Sequence, residues 1–582
     1  MSDLAMLIEN PKPLEQITSR IHTWQEVLSQ FFQECEEYAN FYRLVEGSKT
    51  TPNSFTKTRI GETTRATEAL TTSIYRMMTS NEPPYEAVSL NGMQTSEQLA
   101  ATMILLRWQD YQIKYKRRLL RSIRSGVLFG TTIVETPWAT EFKNGRLLWE
   151  SLNYVPRSLL QCAFEPNVFA IEESPWFAFL DYFHEDQLLD FAQYDPKNWD
   201  PIQIQKAIEA SKDKNQISSR LEERRRRAGY RDLPMYEVCT YYGRLRDLPR
   251  TDQRLWKIKV INQSVPVYAG PNPSPTGRIP VKVARYVDFE LEPLGYGVGR
   301  LGRLAQRVLD DNRNQYMDIA RMGLMNMWIK DRLAGVKNSE LKIKPLGIIE
   351  ADSIDGLKPY VPDLNLVTMG LKMEEVYRAE HQGNTGATPN LQAQVTDASA
   401  TESSIAQNEA IRRVSVIAED MADSLIRDFQ MEKHEYNKDW LQSDLMLAVS
   451  GMPKPLPVNR RTIARDVELF VRITTDKDFR PKRTEHLMQV FQTLSSVRSI
   501  PNINVDILPV LKELVRALDV NPGEVVKSAP VPNAVLALQM AMKNAQGAAQ
   551  ELGPEAAARL DEGGAPGMSV ADTPVGGVAL TP

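Results

Sequence analysis

The sequence contains few of the residues that build metal, redox and disulfide chemistry. It has three cysteines, Cys35, Cys162 and Cys239, and five histidines among 582 residues. The cysteines lie far apart without CxxC spacing, so we expect reduced structural thiols in a protein made in a cytosol. The histidines are equally scattered, and no local spacing typical of a metal site occurs. We therefore expect neither a metal nor a cofactor.

Long apolar runs and an excess of basic charge are also missing. No segment approaches the roughly 18 consecutive apolar residues of a membrane-spanning helix, and the first residues lack the pattern of a signal peptide. The chain has 70 Lys and Arg against 74 Asp and Glu, a formal net charge of −4. A protein that wraps nucleic acid over a broad surface needs an excess of cations. We expect no membrane partner and no such wrapping.

Catalytic constellations are absent from the sequence as well. No GxxxxGK[ST] motif is present, and no Ser/His/Asp or Cys/His set can be assembled. The adjacent acidic pairs, Asp310 with Asp311 and Glu374 with Glu375, fall on predicted helices. Neighbouring residues of a helix point in different directions, so neither pair shares a site. The sequence predicts that the protein is not an enzyme.

One stretch, GVGRLG at 297–302, matches the GxGxxG pattern of dinucleotide-binding proteins. That function needs a tight strand-to-helix turn and a second strand that ends in an acidic residue. Here DFELEPLGY separates the preceding strand from the glycines, and Asp318 falls inside the predicted helix. We favour glycines that turn the chain sharply into a long helix, and keep a nucleotide-binding enzyme as the alternative.

Two groups of basic residues could contact phosphates. One is the run Arg224–Arg227, and the other lies on a helix predicted near 95–126. A solvated surface, or pairing between subunits with acids such as Glu222 and Glu223, explains them more simply. The second group consists of Lys114, Lys116, Arg117, Arg118, Arg121 and Arg124.

The order of predicted elements is the most informative feature. Helices dominate the first third, and short β-rich segments fill about 140–290. Ser399 and Glu402 match the S-x-x-E capping box at the start of the last long helix. The elements from residue 299 are a helix at 299–328, a compact mixed segment at 330–362, a helix at 363–380, a polar loop at 381–398, a helix at 400–446 and a strand at 466–476.

This order resembles the portal proteins, or head–tail connectors, of tailed bacteriophages. GYGVGRLGRLAQRVLDDNRNQYMDIA is similar to the portal segment that enters the first stem helix, and GNTGATPNLQ followed by ATESSIAQNEA is similar to the tunnel loop and its helix. TTRATEALTTSIYRMMTSNEPPYEAV and GVLFGTTIVETPW resemble the wing of short-tailed-phage portals. The resemblance covers roughly residues 40 to 520.

The resemblance implies a mainly α fold with α+β parts, in which each subunit has a wing, stem, clip, tunnel loop, tunnel helix and crown. Such subunits assemble into a closed ring. The implied boundaries are 1–298 for the wing, 299–329 for the first stem helix, 330–362 for the clip, 363–380 for the second stem helix, 381–398 for the tunnel loop, 399–446 for the tunnel helix, 447–480 for a wing strand region, 481–525 for the crown helices and 526–582 for an Ala/Gly/Pro-rich tail.

The implied function is a channel at one capsid vertex. Double-stranded DNA would be packaged through it by the large terminase and later ejected. The implied partners are the chain itself, usually in twelve copies, the DNA, the terminase, tail adaptor proteins and the major capsid protein. We expect the protein in the virion, after synthesis in the bacterial cytoplasm. A structural virion protein of another kind remains a second alternative.

The resemblance also implies three groups of functional residues. A polar loop with little charge could brush a moving DNA backbone without gripping it. Acids on the second stem helix could repel the duplex, and the clip would meet the terminase and the adaptors. The loop group is Gly383, Asn384, Thr385, Gly386, Thr388, Asn390, Gln392 and Gln394; the acidic group is Asp363, Glu374, Glu375 and Glu380; and the clip group is Lys342, Lys344, Asp352 and Asp355.

Overall fold

Helices form the first part of the chain, strands dominate its middle, and helices return after residue 297. The mixed helical and stranded character that the sequence predicts is therefore confirmed. All residues with described positions belong to one unit of the chain. The computed structural model describes residues 3–45, 56–81, 83–90, 94–143, 146–212, 235–246, 248, 255–290, 292–324, 327–330, 357–360, 365–389, 391, 412–447 and 456–471.

The helices fall into an N-terminal group, a pair between strands and a C-terminal group. They are α1 Asp3–Glu9, α2 Lys12–Val27, α3 Ser29–Arg43, α4 Glu62–Thr79, α5 Ser96–Gln112, α6 Tyr115–Phe129, α7 Glu185–Tyr194, α8 Pro201–Lys212, α9 Val298–Leu301, α10 Arg303–Leu324, α11 Asn365–Thr385, α12 at 412–422 and α13 Asp428–Trp440. A π-helical turn, Asp423–Arg427, joins α12 to α13. Short 3₁₀ turns occur at Leu159–Gln161 and Ile171–Glu173.

The strands pair in an antiparallel manner throughout the described residues. One sheet has the order β10-β9-β8-β7-β6, a second has the order β11-β2-β5, and β1–β16, β3–β4, β12–β13 and β14–β15 form two-stranded pairs. The strands are β1 Tyr85–Ser89, β2 Thr131–Glu135, β3 Trp138–Lys143, β4 Arg146–Leu152, β5 Val155–Arg157, β6 Cys162–Phe164, β7 Trp176–His184, β8 Met235–Gly243, β9 Trp256–Ile261, β10 Val265–Pro271, β11 Val281–Arg285, β12 Met327–Lys330, β13 Leu357–Tyr360, β14 Leu445–Leu447, β15 Leu456–Val458 and β16 Val467–Val471.

The five-stranded sheet is buried on both faces. Successive side chains of a strand point to opposite faces, so Trp256 and Ile258 of β9 share one face. These two residues pack in a cluster with Ile21 and Trp24 of α2. On the other face, Phe177 belongs to a cluster that includes residues of the three-stranded sheet. The sheet therefore joins the N-terminal helices to the middle of the chain.

A second core lies where early and late helices meet. Ile74 of α4 and Ile123 of α6 are fully buried in one cluster with Phe429 of α13. Tyr115, at the start of α6, stacks on Phe429 with ring centroids 5.4 Å apart, and its hydroxyl donates to the Leu425 carbonyl at 2.8 Å. The packing ties the first part of the chain to the helices after residue 412.

The prediction of one helix over 95–126 is wrong, because two helices occupy this range. Lys114 adopts a left-handed conformation, with φ 53°, between α5 and α6. The sequence carries no Gly or Pro at this break. Ile113 and Tyr115 are buried on either side of Lys114, so tertiary packing overrides local helix propensity here.

The predicted helix over 400–446 is also too long at its C-terminal end. The helix ends at Trp440, and β14 follows it. The buried Glu150 carboxylate accepts hydrogen bonds from the backbone N–H groups of Gln442 and Ser443, at 2.6 and 2.7 Å. A distant side chain thus directs the chain out of the helix. The predicted capping box at Ser399 and Glu402 lies outside the described residues. Of the strand predicted at 466–476, the structure shows β16 over Val467–Val471, and residues 472–476 also lie outside the described part.

The predicted first stem helix, loop and second stem helix differ from the structure at their ends. α9 and α10 are separate, α10 ends at Leu324, and β12 follows it in place of the helix expected up to 329. β12 pairs with β13, and α11 then continues to Thr385. The prediction of a loop that begins at His381 is therefore wrong. The region from 331 to 356 and the predicted crown and tail lie outside the described residues.

Gly130 allows β2 to begin directly after α6. Its φ is +90°, a backbone conformation that favours glycine. A Cβ atom at this position would lie 2.0 Å from the Gly295 carbonyl oxygen. Gly130 therefore meets both a conformational and a packing requirement.

We predict that Gly130→Ala lowers the thermal unfolding midpoint much more than Gly277→Ala does. Gly277 also has a positive φ, +67°, but no atom would lie within 4 Å of its added Cβ. Its substitution should cost only the left-handed strain of about 1–2 kcal/mol, whereas Gly130→Ala adds a backbone clash. Thermal unfolding followed by circular dichroism measures the difference. Equal midpoints for the two variants would contradict the packing requirement.

Candidate functional site

The helices α10 and α11 run antiparallel and in close contact, and we call this pair the hairpin. The Tyr316 side chain packs on Gly370, where an added Cβ would approach it to 2.8 Å. Asn312 donates from Nδ2 to the Gly370 carbonyl at 2.7 Å. At the other end of the hairpin, Gly302 packs against the His381 ring. Glycines at these contacts let the two helices approach closely.

An ionic cluster joins the two helices at their centre. Glu374 of α11 accepts hydrogen bonds from Nε of Arg313 at 2.9 Å, from the Tyr316 hydroxyl at 2.7 Å and from Arg378 at 2.8 Å. Burial alone would raise the pKa of Glu374, but the hydrogen bonds from Arg313 and Tyr316 outweigh it and the pKa is lowered. The Glu374 carboxylate is thus buried, and Arg313 and Arg378 balance its negative charge. Its expected role as an exposed acid that repels DNA does not agree with this geometry.

Four polar side chains at every fourth residue of α10 form what we call the polar ladder: Gln306, Asp310, Asn314 and Asp318. The ladder binds the extended segment before α4. The Asn314 Oδ1 atom accepts from both the N–H and the hydroxyl of Thr58, each at 2.9 Å. The Asp310 Oδ1 atom accepts from the Ile60 N–H at 2.8 Å.

The ends of the polar ladder make equivalent contacts. Gln306 accepts from the N–H and the hydroxyl of Thr63 at 3.1 and 2.9 Å, and donates to the Ile60 carbonyl at 2.8 Å. The Thr56 hydroxyl donates to Asp318. The N–H groups of Ile60 and Thr63 are thereby satisfied by helix side chains, as buried backbone groups require.

The contact works because two periodicities match. Four residues of an α-helix advance about 6 Å, and two residues of an extended chain advance about 6.6 Å. Thr56, Thr58 and Ile60 therefore meet successive members of the polar ladder along α10. An extended segment is bound in register on a helix without forming a sheet.

Polar side chains at the start of α4 also contact the end of α11. Glu62 is fully buried and accepts from Gln382 Nε2 at 3.0 Å. The Thr63 hydroxyl lies 3.3 Å from His381 Nε2. Burial lowers the pKa of His381 to about 4, so the ring is neutral at pH 7. His381 and Gln382, which the sequence placed in a flexible loop, are buried members of a helix.

The structure separates the expected loop residues into three groups. Gly383 and Asn384 are exposed on the last turn of α11, whereas Thr385 is buried. Gly386 ends the helix with φ +71° and Thr388 is half-buried.

Of the expected acids, Glu375 and Glu380 are exposed on α11. The residues that lie outside the described part of the chain are Asn390, Gln392, Gln394, Asp363, Lys342, Lys344, Asp352 and Asp355.

The outer face of α11 carries a feature that the sequence analysis missed. Leu366, Met369, Met373 and Val376 are all exposed, at 48, 57, 38 and 65%. Their spacing of three, four and three residues is the heptad pattern of helices that pack on other helices. We call this set the apolar stripe. The spacing was visible in the sequence, but the exposure follows from the structure, in which α10 contacts the neighbouring face of α11 at Gly370 and Glu374.

The glycines of GVGRLG pack against protein atoms. A Cβ at Gly297 would lie 2.3 Å from the Gly130 nitrogen, and one at Gly299 would lie 2.5 Å from the Tyr38 ring. These contacts account for both glycines by close packing, as a sharp entry into a helix requires. Gly297→Ala is therefore not a test for nucleotide binding, because the added Cβ would clash with the Gly130 backbone and disturb the fold.

Other site classes find no support among the residues that the structure describes. No group of three or more His, Cys, Asp or Glu side chains in that part of the chain is arranged to hold a metal ion. None of its helices combines the length and the apolar character needed to cross a bilayer. No protein-family model and no curated protein sequence matches the chain.

Burial of Asp310 in the polar ladder should make the free energy of unfolding depend on pH. Burial raises the pKa of Asp310 to about 6, although the Ile60 N–H, Arg59 and Gln306 favour its charged form. The folded protein therefore binds this proton more tightly than the unfolded chain does. The stability contributed by the protonated group is complete below about pH 4 and is lost as the pH rises through 6.

We predict that the stability of the wild type relative to Asp310→Asn decreases by about 1–3 kcal/mol between pH 4 and pH 6.5. Denaturant unfolding at several pH values measures the difference. Asn314→Ala, which removes a hydrogen-bond acceptor of the polar ladder that does not titrate, provides a control, and its stability difference from the wild type should change little with pH. A pH-independent difference for Asp310→Asn would contradict the assigned role.

Proposed function

We propose that the chain is the subunit of a bacteriophage portal, a ring that forms the DNA channel at one vertex of a capsid. In this proposal about twelve copies assemble head to tail. The large terminase packages double-stranded DNA through the channel, and tail adaptor proteins and the major capsid protein bind the ring. The protein would be made in the bacterial cytoplasm and incorporated into the virion, with no catalytic role.

The observation that supports this proposal is the inverted character of the hairpin. Several of its polar and charged groups, such as Glu374 and Asp310, are buried and hydrogen-bonded inside the subunit. The apolar stripe lies on its outside. A contiguous exposed apolar surface marks an interaction site, and a stripe with heptad spacing fits another helix. A second copy of the hairpin supplies such a helix.

Repetition of one contact around an axis produces a closed ring when the rotation closes. The stripe on α11 needs an apolar counterpart elsewhere on the neighbour. Leu304 and Val308, one turn apart on α10, are exposed at 74 and 38%. We propose that the apolar stripe of one subunit packs against this edge of α10 in the next. Such a head-to-tail contact uses two different surfaces, as a ring requires.

Exposed groups along the second half of α11 support a channel that does not hold DNA tightly. DNA carries about one phosphate charge per 1.7 Å of axis, so a basic lining would bind it strongly. Gly383 and Asn384 offer uncharged exposed groups, and Glu375 and Glu380 are exposed acids. In the proposed ring these groups lie on or near the channel wall, where they limit attraction to the backbone.

We predict that the double variant Met369→Glu with Val376→Glu prevents ring assembly. The two substitutions place charges in the proposed subunit contact, where desolvation is costly. Light scattering after size exclusion should give about 0.8 MDa for a wild-type ring of twelve 66.0 kDa chains and the monomer mass for the variant. Phe169→Glu, at an exposed position outside the hairpin, should leave the ring intact.

Two results would contradict the proposal. One is a wild-type protein that stays monomeric or dimeric at all concentrations and salt conditions. The other is an assembly that the stripe variant does not affect while its circular dichroism and unfolding midpoint remain those of the wild type. The first result would favour the alternative functions, and the second would place the subunit contact elsewhere.

A further inference from the structure

A line of cations runs along the outward face of α6, separate from the hairpin. Lys114, Arg117, Arg121 and Arg124 follow one another at spacings of three, four and three residues. Lys114 lies just before α6 in a left-handed conformation. At 3.6 residues per turn, the three arginines of α6 lie within an arc of roughly 60°. We call this set of four the cationic stripe. The sequence showed the basic residues, and the helix bounds show which of the arginines share one face.

One member of the cationic stripe is neutralised and three are not. Arg124 donates to both carboxylate oxygens of Glu68, at 2.8 and 3.0 Å. The side chains of Lys114, Arg117 and Arg121 are exposed. Within the described residues they make no ion pair or side-chain hydrogen bond. These three charges therefore have no structural partner in the part of the chain that the structure describes.

The helix that carries the cationic stripe is firmly held. On its opposite side Leu119, Ile123 and Val127 are fully buried in the central core. Arg118, beside the stripe, donates to the Tyr154 carbonyl at 2.8 Å. A ligand that binds the stripe would have to order only the cationic side chains, because the backbone is already fixed. Such preorganisation reduces the entropic cost of binding.

We propose that Lys114, Arg117 and Arg121 form a contact for the phosphate backbone of duplex DNA. Arg117 and Arg121 lie about 6 Å apart along the axis of α6, and Lys114 precedes them at the start of the helix. Such a row of cations suits a polymer of repeated negative charges better than a single small anion. The chain as a whole has a net charge of −4, so this positive line is a local feature and not part of a generally basic surface. The contact does not depend on the base sequence of the DNA, and it does not require assembly of the subunits into a ring.

The test measures binding of the full chain to a fluorescent 30-base-pair duplex of mixed sequence, by anisotropy at salt concentrations from 50 to 200 mM. The test variant is Arg117→Glu with Arg121→Glu. The control is Arg413→Glu with Arg461→Glu, which changes the net charge equally at two exposed arginines elsewhere. Light scattering on each sample records the assembly state, so that a failure to form rings is seen separately.

We expect the wild type to bind with an affinity that falls steeply with salt. The test variant should bind about 10- to 100-fold more weakly at 50 mM salt, and the slope of log affinity against log salt should fall by about two. The control should retain the affinity within about twofold. Absence of duplex binding by the wild type would overturn the inference, as would equal losses in the test and control variants.

Discussion

The match between an extended segment and a helix is the interaction on which the rest of the structure depends. The polar ladder of α10 binds a segment about 250 residues earlier in the chain. It fixes the start of α4, which in turn supplies Glu62 and Thr63 to the end of α11. Each buried donor or acceptor in this network would cost about 1–3 kcal/mol if left unpaired. The network therefore fixes the positions of α10, of α4 with the segment before it, and of the end of α11 relative to one another.

This arrangement explains why the apolar stripe faces outward. Helices of globular proteins usually bury their apolar face and expose polar groups. In the hairpin, the facing surfaces of α10 and α11 are joined largely by Glu374, Arg313 and their partners, and the heptad-spaced residues of α11 are left outside. A subunit that satisfies its own polar groups and leaves apolar surface exposed is suited to assembly with copies of itself, which is the basis of the ring proposal.

The sequence allowed the type and order of most described elements to be predicted, because their apolar periodicity is strong. It did not allow the features that distant residues determine. The break at Lys114 has no local signal, and the end of α13 depends on Glu150. His381 and Gln382 were assigned to a flexible loop because they are polar, but their partners lie about 320 residues away in sequence. Glu374 was expected to be exposed because its partner Arg313 is 61 residues away.

The central claim is that this chain closes into a ring around a channel, and electron microscopy of the purified protein tests it most directly. Class averages viewed along the particle axis should show rings with a central hole and near-twelvefold symmetry. A population of monomers, dimers or open filaments, with no closed ring at any concentration or salt, would contradict the account.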